Sequence, residues 1–317
     1  MEYRYSGKSG LQLPLISLGL WHNFGSVDPY DNARAMLLRA WEQGITHFDI
    51  ANNYGPEPGS AETTFGRVLR EDLAAHRDEM IISSKAGYLM WNGPYGDGGS
   101  RKYLIASCNQ SLRRTGLDYF DIFYSHRYDP NTPIEETMQA LVDIVHAGKA
   151  LYAGISNYPA DKQQECYDYL RAAHVPCVIS QYKANMLFED TLRNNLSVAE
   201  ENGSGFICFS PLAQGLLTDR YLHGIPEGSR ATKEVFLHRA QITEDVIART
   251  RRLSEIAASR GQSVAQMALA WLLAHEGVTS VIVGASSVAQ LDNNLHSVNN
   301  ITFSEHELQA IRRAIAE

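Results

Sequence analysis

Short apolar runs of strand length alternate with amphipathic helical stretches about eight times along this chain, and few folds tolerate that rhythm. The apolar runs fall at residues 15–20, 47–49, 80–85, 120–126, 150–156, 178–181, 206–209 and 280–283. The helical stretches between and after them span 30–43, 60–71, 101–114, 134–146, 160–174, 191–202, 244–260 and 288–298. Each run is rich in Ile, Val, Phe or Tyr, and most helices close on Gly or a polar turn. Repeated strand-then-helix units of this length imply a parallel sheet covered on both faces. About eight of them suit closure, so the expected fold is α/β, a (β/α)8 TIM barrel. The competing architecture is an open doubly wound sheet, which usually carries a glycine fingerprint in its first strand–helix turn. That turn here reads Gly19-Leu20-Trp21-His22-Asn23-Phe24-Gly25, which is not G-x-G-x-x-G.

A chain of 317 residues, 44% apolar and 20% charged, can bury a large core, and with no linker or repeat in view it reads as one domain over 1–317. Residues 1–14, with alternating Tyr3 and Tyr5 and Gly turns, suggest a small hairpin capping one barrel end. Two long loops, 88–100 and 211–241, have the length of lids or binding loops. The formal net charge of −8 argues against nucleic acid or an anionic membrane as the main partner. Cys108, Cys166, Cys177 and Cys208 form no C-x-x-C pair, which disfavours a zinc knuckle or dithiol motif and fits a reducing compartment. The first residues lack the apolar stretch of a signal peptide, and no apolar run is long enough to span a bilayer, so a cytoplasmic location is expected.

Barrels of this type concentrate function at the carboxyl ends of their strands. Asp49 ends the second strand and Tyr54 follows in its loop; Lys85 ends the third and His126 the fourth. Any one of these has an ordinary structural explanation, but four titratable types converging on one mouth suit proton donation to a carbonyl oxygen. A tyrosine hydroxyl titrates near ~10 in isolation. An adjacent Lys85 ammonium is expected to lower that value, with Asp49 holding the ammonium and His126 donating to the developing alkoxide. No H-E-x-x-H, His/Cys cluster or second carboxylate beside Asp49 marks a metal site, hydrolase or isomerase.

The stretch Phe48-Asp49-Ile50-Ala51-Asn52-Asn53-Tyr54-Gly55 resembles the aldo-keto reductase signature, with Lys85 in Ser83-Ser84-Lys85 and His126 in Tyr124-Ser125-His126-Arg127 completing the family's tetrad. The resemblance covers essentially the whole chain. It is closest to the branch that joins bacterial reductases of glyceraldehyde 3-phosphate to the β subunits of voltage-gated potassium channels. The branch-specific segments are Leu18 to Gly25, Gly93-Pro94-Tyr95-Gly96 and Pro211 to Leu217.

That resemblance implies NADPH lying across the barrel mouth. Ser156, Asn157 and Gln181 would meet the nicotinamide carboxamide, Phe209 would stack on the ring, and Trp21 and Asp49 would lie beside it. Ser210 and Leu212 would meet the pyrophosphate, and Arg220 and Arg230 the adenosine 2′-phosphate, where paired guanidiniums suit a dianion. Gly284, Ser286, Gln290 and Asn294 match the last strand–loop–helix, whose N-terminus favours phosphate. Trp21, Tyr88, Trp91 and Arg127 are the candidate substrate residues. A small polar or phosphorylated aldehyde, or methylglyoxal, is the implied substrate. The run Gln181-Tyr182-Lys183-Ala184-Asn185 and Asn293 depart from the branch pattern, which bears on substrate preference and cofactor affinity. The alternative is a cofactor-binding sensor of the channel-subunit type, although His126 favours turnover. Several relatives form tetramers or larger rings, and for this chain a homo-oligomer stays open.

Overall fold

The computed structural model describes residues 1–222, 224–226, 232 and 237–316. The chain opens with a hairpin, β1 (Tyr3–Tyr5) and β2 (Gln12–Pro14), paired antiparallel with Tyr3 opposite Pro14. The barrel strands follow as β3 (Ile16–Gly19), β4 (His47–Asp49), β5 (Ile81–Ala86), β6 (Phe120–Ser125), β7 (Ala150–Ser156), β8 (Cys177–Lys183), β9 (Gly205–Phe209) and β10 (Val278–Val283). All neighbours pair parallel, and β10 closes on β3 through Val281–Ile16 and Val283–Leu18. The expected (β/α)8 barrel is therefore the observed one.

Burial explains why these runs are strands. Every residue of β6 and of β10 is buried, because one face meets the barrel interior and the other the helical layer. The hairpin seals the floor. Leu11 and Leu13 pack with Ile122, Tyr124, Val178, Ile179, Ile207 and Ile282 in a cluster of their own inside the barrel. Removing large aliphatic side chains of this kind from water stabilises by roughly 2 kcal/mol each.

Around the barrel run α1 (Tyr30–Glu42), α2 (Ser60–Val68), α3 (Arg101–Thr115), α4 (Ile134–His146), α5 (Ala160–Ala172), α6 (Asp190–Asn194), α7 (Leu196–Glu201), α8 (Glu244–Ser259), α9 (Val264–Leu273), α10 (Val288–Leu295) and α11 (Glu305–Ala316). In α1 the buried positions Ala33, Met36, Leu37 and Ala40 follow the i, i+3, i+4, i+7 spacing of one helix face. Helix α3 starts at Ser100, whose side chain accepts from Tyr103 N, and stops at Gly116 in the left-handed region (φ 72°).

Three departures from the sequence reading stand out. The helix expected over 60–71 ends at Val68 and continues as a π turn, Leu69–Leu73, and a 3-10 stretch, Ala74–Glu79. The helix expected over 191–202 is broken at Asn195, whose side chain donates to Tyr158 O and to Gln163 Oε1 and so is held inward. Two helices, α9 and α11, were not expected at all. Helix α9 is buried at nine of its positions because it lies between β10 and the outer helices, so it shows no polar face to betray a helical period. No helix among the described residues is long and apolar enough to cross a membrane.

Candidate active site

At the carboxyl end of the barrel an open cleft of about 700 Å3 runs from Tyr54 and Asp49 across to the start of α10. Backbone geometry marks the same rim. Asn23, Asn157, Ser210, Ala213 and Gln214 hold left-handed conformations with φ between 48° and 72° just beyond β3, β7 and β9. Non-glycine residues in that region carry strain that surrounding structure must over-determine, and such residues gather at functional sites.

Strand β4 delivers Asp49 and β5 delivers Lys85 side by side, since Asp49 pairs with Ser83 in the parallel register. Lys85 is wholly buried, and its Nζ donates to Asp49 Oδ2 at 2.6 Å and to Ile50 O at 2.7 Å. Desolvation pushes the Lys85 ammonium pKa down, and Asp49 opposes that shift. Asp49 Oδ1 accepts from Ser83 Oγ at 2.7 Å and from Gln181 Nε2 at 3.0 Å. The Tyr54 ring lies over this pair, its centroid 5.0 Å from Lys85 Nζ. The centroids of Tyr54 and His126 are 5.9 Å apart, and Tyr88 meets the His126 ring edge-on at 4.6 Å. The four residues of the expected tetrad thus converge.

One expectation needs correction. Tyr54 is not lowered by Lys85. Burial, then the Asp49 carboxylate and Tyr88, hold its pKa well above the ordinary value, so the phenol is neutral. Lys85 spends its charge on Asp49 and the Ile50 carbonyl instead. His126 is likewise neutral: burial, Lys85 and Arg127 hold its pKa well below the ordinary imidazole value.

The remaining expected residues divide by position. Trp21, Phe209, Ser210 and Leu212 line the cleft, with Trp21 and Tyr54 centroids 6.2 Å apart. Arg220 and Gly284 line it too, and Ser286, Gln290 and Asn294 line it at the start of α10. Ser156, Asn157 and Gln181 sit at the ends of β7 and β8 without lining it; Asn157 Nδ2 donates to His126 O at 3.1 Å. Arg230 lies outside the described residues. Tyr88, Trp91 and Arg127 do not line this cleft, although Tyr88 touches His126. Trp91 packs on Tyr103 at 5.4 Å, and Arg127 is held by Asp97 at 2.8 Å and by Gly87 O.

The far end fits a phosphate-bearing dinucleotide. Asn294 is buried there, and its Nδ2 has no hydrogen-bond partner, a donor that a cleft-filling ligand would satisfy. Ser287 caps α10, and Arg220 lines the same cleft. Among the described residues no three His, Cys, Asp or Glu side chains group to hold a metal ion.

Sequence reasoning missed several lining residues, among them Asn23, Gln214, Thr218 and Ser263. Ser263 had a visible signal. Ser263 and Gln266 form the capping box of α9, and an S-x-x-Q pattern before an apolar run announces such a helix start.

A closed parallel barrel with Asp, Tyr, Lys and His at one mouth belongs to the carbonyl-reducing enzymes, and the chain is a member of the Aldo/keto reductase family, whose profile matches residues 15–316. It is therefore an oxidoreductase, of a family that generally uses a nicotinamide dinucleotide. Among its relatives is a protein of Escherichia coli O157:H7 named L-glyceraldehyde 3-phosphate reductase, 56% identical, with 100% of this chain and 93% of that protein aligned. The namesake of strain K12 is 55% identical over the same shares. A protein of Arabidopsis thaliana named as a probable voltage-gated potassium channel subunit beta is 34% identical over 95% of this chain and 92% of its own length.

Proposed function

We propose that the protein reduces small aldehydes, glyceraldehyde 3-phosphate or methylglyoxal among them, to primary alcohols with NADPH. The observation that carries this reading is the meeting of a neutral Tyr54 with the buried Lys85–Asp49 pair at the cleft. The substrate class draws on the 56% identity to a reductase of that name. NADPH, when bound, supplies the hydride.

The chain's own side chains supply the rest. Tyr54 keeps its proton in the resting site and yields it to the carbonyl oxygen as charge develops there. The Lys85 ammonium, held by Asp49 and Ile50 O, stabilises the phenolate that remains. Neutral His126 donates an N–H to the same oxygen without adding a competing charge. Phe209, Ser210 and Leu212 would hold the cofactor near Tyr54, Asn294 and Ser286 its phosphate-bearing half, and Arg220 the 2′-phosphate, with Arg230 a further candidate. Arg127, already stacked on Tyr88 and paired with Asp97, would border a phosphorylated substrate.

Following NADPH absorbance with glyceraldehyde 3-phosphate, methylglyoxal and 4-nitrobenzaldehyde tests this. Wild type should turn over, and Tyr54→Phe should lose roughly 10²–10⁴-fold in kcat, as expected for loss of a general acid. A second reading, an NADPH-binding sensor, draws on the 34% identity to proteins named as channel subunits. Tight NADPH binding with no turnover of any aldehyde would favour it.

A further inference from the structure

Beneath Asp49, inside the barrel, lies a row of buried polar side chains on four adjacent strands: Ser280 on β10, Ser17 on β3, His47 on β4 and Ser83 on β5. They are bonded in series. Ser280 Oγ and Ser17 Oγ are 2.7 Å apart, Ser17 Oγ and His47 Nδ1 2.8 Å, and His47 Nε2 and Ser83 Oγ 3.0 Å. Ser83 Oγ then donates to Asp49 Oδ1 at 2.7 Å.

With His47 neutral, one arrangement of protons satisfies the whole row; the competing one needs an imidazolium that donates to Ser17, with Ser17 donating to Ser280 and Ser280 to Leu15 O at 3.4 Å. The Asp49 carboxylate, facing the Lys85 ammonium at 2.6 Å, can only accept. Ser83 therefore spends its one hydroxyl proton on Asp49, and its oxygen must accept from His47 Nε2–H. A neutral imidazole with its proton on Nε2 must accept at Nδ1, so Ser17 donates there. Ser280 in turn donates to Ser17. Every bond points toward Asp49, and bonds aligned in one direction polarise each other.

We infer that His47, with Ser17 and Ser83, is a positioning relay for the reaction: it fixes the Asp49 carboxylate from below so that Oδ2 holds Lys85 under Tyr54. This rests on the roles proposed above for Lys85 and Tyr54. The geometry gives the relay something to hold. Oδ1 is tied by Ser83 and Gln181, which fixes the carboxylate plane, and Oδ2 is left to Lys85. With two of the three Lys85 N–H groups spent on Asp49 and Ile50 O, the third is the one available to the Tyr54 oxygen. Burial holds the His47 pKa down to about 4, with Asp49 opposing and Lys85 adding to the shift, so the imidazole is neutral and the row runs toward Asp49.

Two measurements test the relay. In 15N-histidine-labelled protein at pH 7, His47 should appear as the Nε2–H tautomer with an unprotonated Nδ1. An Nδ1–H tautomer or an imidazolium would overturn the arrangement, whether or not the protein reduces aldehydes. In steady-state assays with saturating NADPH, Ser83→Ala should lower kcat roughly 10- to 100-fold, the scale of a lost bond to a charged group. It should also displace the pH profile of kcat, while the KM for NADPH holds. Ser83→Thr, which keeps the hydroxyl, should restore both. A Ser83→Ala enzyme that melts earlier but keeps wild-type kcat and pH profile would reduce the row to a structural one and sink the proposal. If wild type itself shows no turnover, the reductase reading fails, and the tautomer still decides the relay.

Discussion

Lys85 shows how burial and chemistry constrain each other at a single residue. A wholly buried ammonium is costly unless paired, and here Asp49 and the Ile50 carbonyl take two of its donors. Sequence position alone placed Asp49, Tyr54, Lys85 and His126 at one mouth, because strand ends of a barrel are legible from the apolar runs before them. The direction of the Tyr54 shift was not legible, because it is set first by how deeply the folded barrel mouth buries the phenol and then by the Asp49 carboxylate and Tyr88 beside it. Arg220 offers a prediction at the same scale. It is exposed on the loop after β9 and lines the same cleft as the unpartnered Asn294. If it holds the 2′-phosphate, Arg220→Ala should raise the KM for NADPH roughly tenfold or more, the scale of one charge-assisted contact. The KM for NADH should change little. Parallel titrations of the two cofactors check this, and an equal effect on both would remove Arg220 from that role.

Among the elements, those with one apolar face were the legible ones. Helices α1 and α4 follow their hydrophobic period closely, and α4 was placed at its observed bounds. Helix α9 was hidden because it is apolar all round, and α11 because it follows the last barrel strand and falls outside the strand–helix count. The π turn after α2 has no sequence signal of its own, and its two leucines, Leu69 and Leu73, stay buried. Element packing also turns on close approaches. A Cβ on Gly66 of α2 would run into the backbone of Thr115 at the end of α3. The same two helices are tied by buried Glu62, which accepts from Ser84 Oγ and from Arg114 Nε, each at 2.6 Å. Backbone cannot give way as a side-chain tip can, so Gly66→Ala should cost about 1–3 kcal/mol. Urea unfolding of the variant, with the midpoint shifted and the slope kept, is the check; an unchanged midpoint would mean that α2 and α3 can part at no cost.

For the whole molecule, the buried polar centre makes stability depend on pH. His47 and His126 are both neutral in the fold, His47 with its pKa down at about 4 and His126 well below the ordinary value, whereas in the unfolded chain each titrates near ~6.5. As pH falls below that unfolded value, the unfolded chain takes up protons that the folded chain refuses. Stability is therefore fully present above about pH 6.5 and lost progressively as pH drops toward the folded value of His47. The groups around His47 set its share: burial dominates, Asp49 opposes it and the Lys85 ammonium adds to it. At 1.36 kcal/mol per pH unit, His47 alone should account for about 2 kcal/mol of the loss between pH 7 and pH 5. The lowered carboxylates Glu71, which is exposed, and Asp72 and Glu307, which are partly buried in ion pairs, release their contributions only at more acid pH, so they do not blur that window. Replacing His47 with Gln keeps a donor on the Ser83 side but removes the titration. Denaturant midpoints at pH 7 and pH 5 should then fall less for His47→Gln than for wild type, by the margin assigned to His47. Equal losses in the two proteins would mean that His47 is protonated as readily in the fold as out of it, and with that the one-way row beneath Asp49 would have to be abandoned as well.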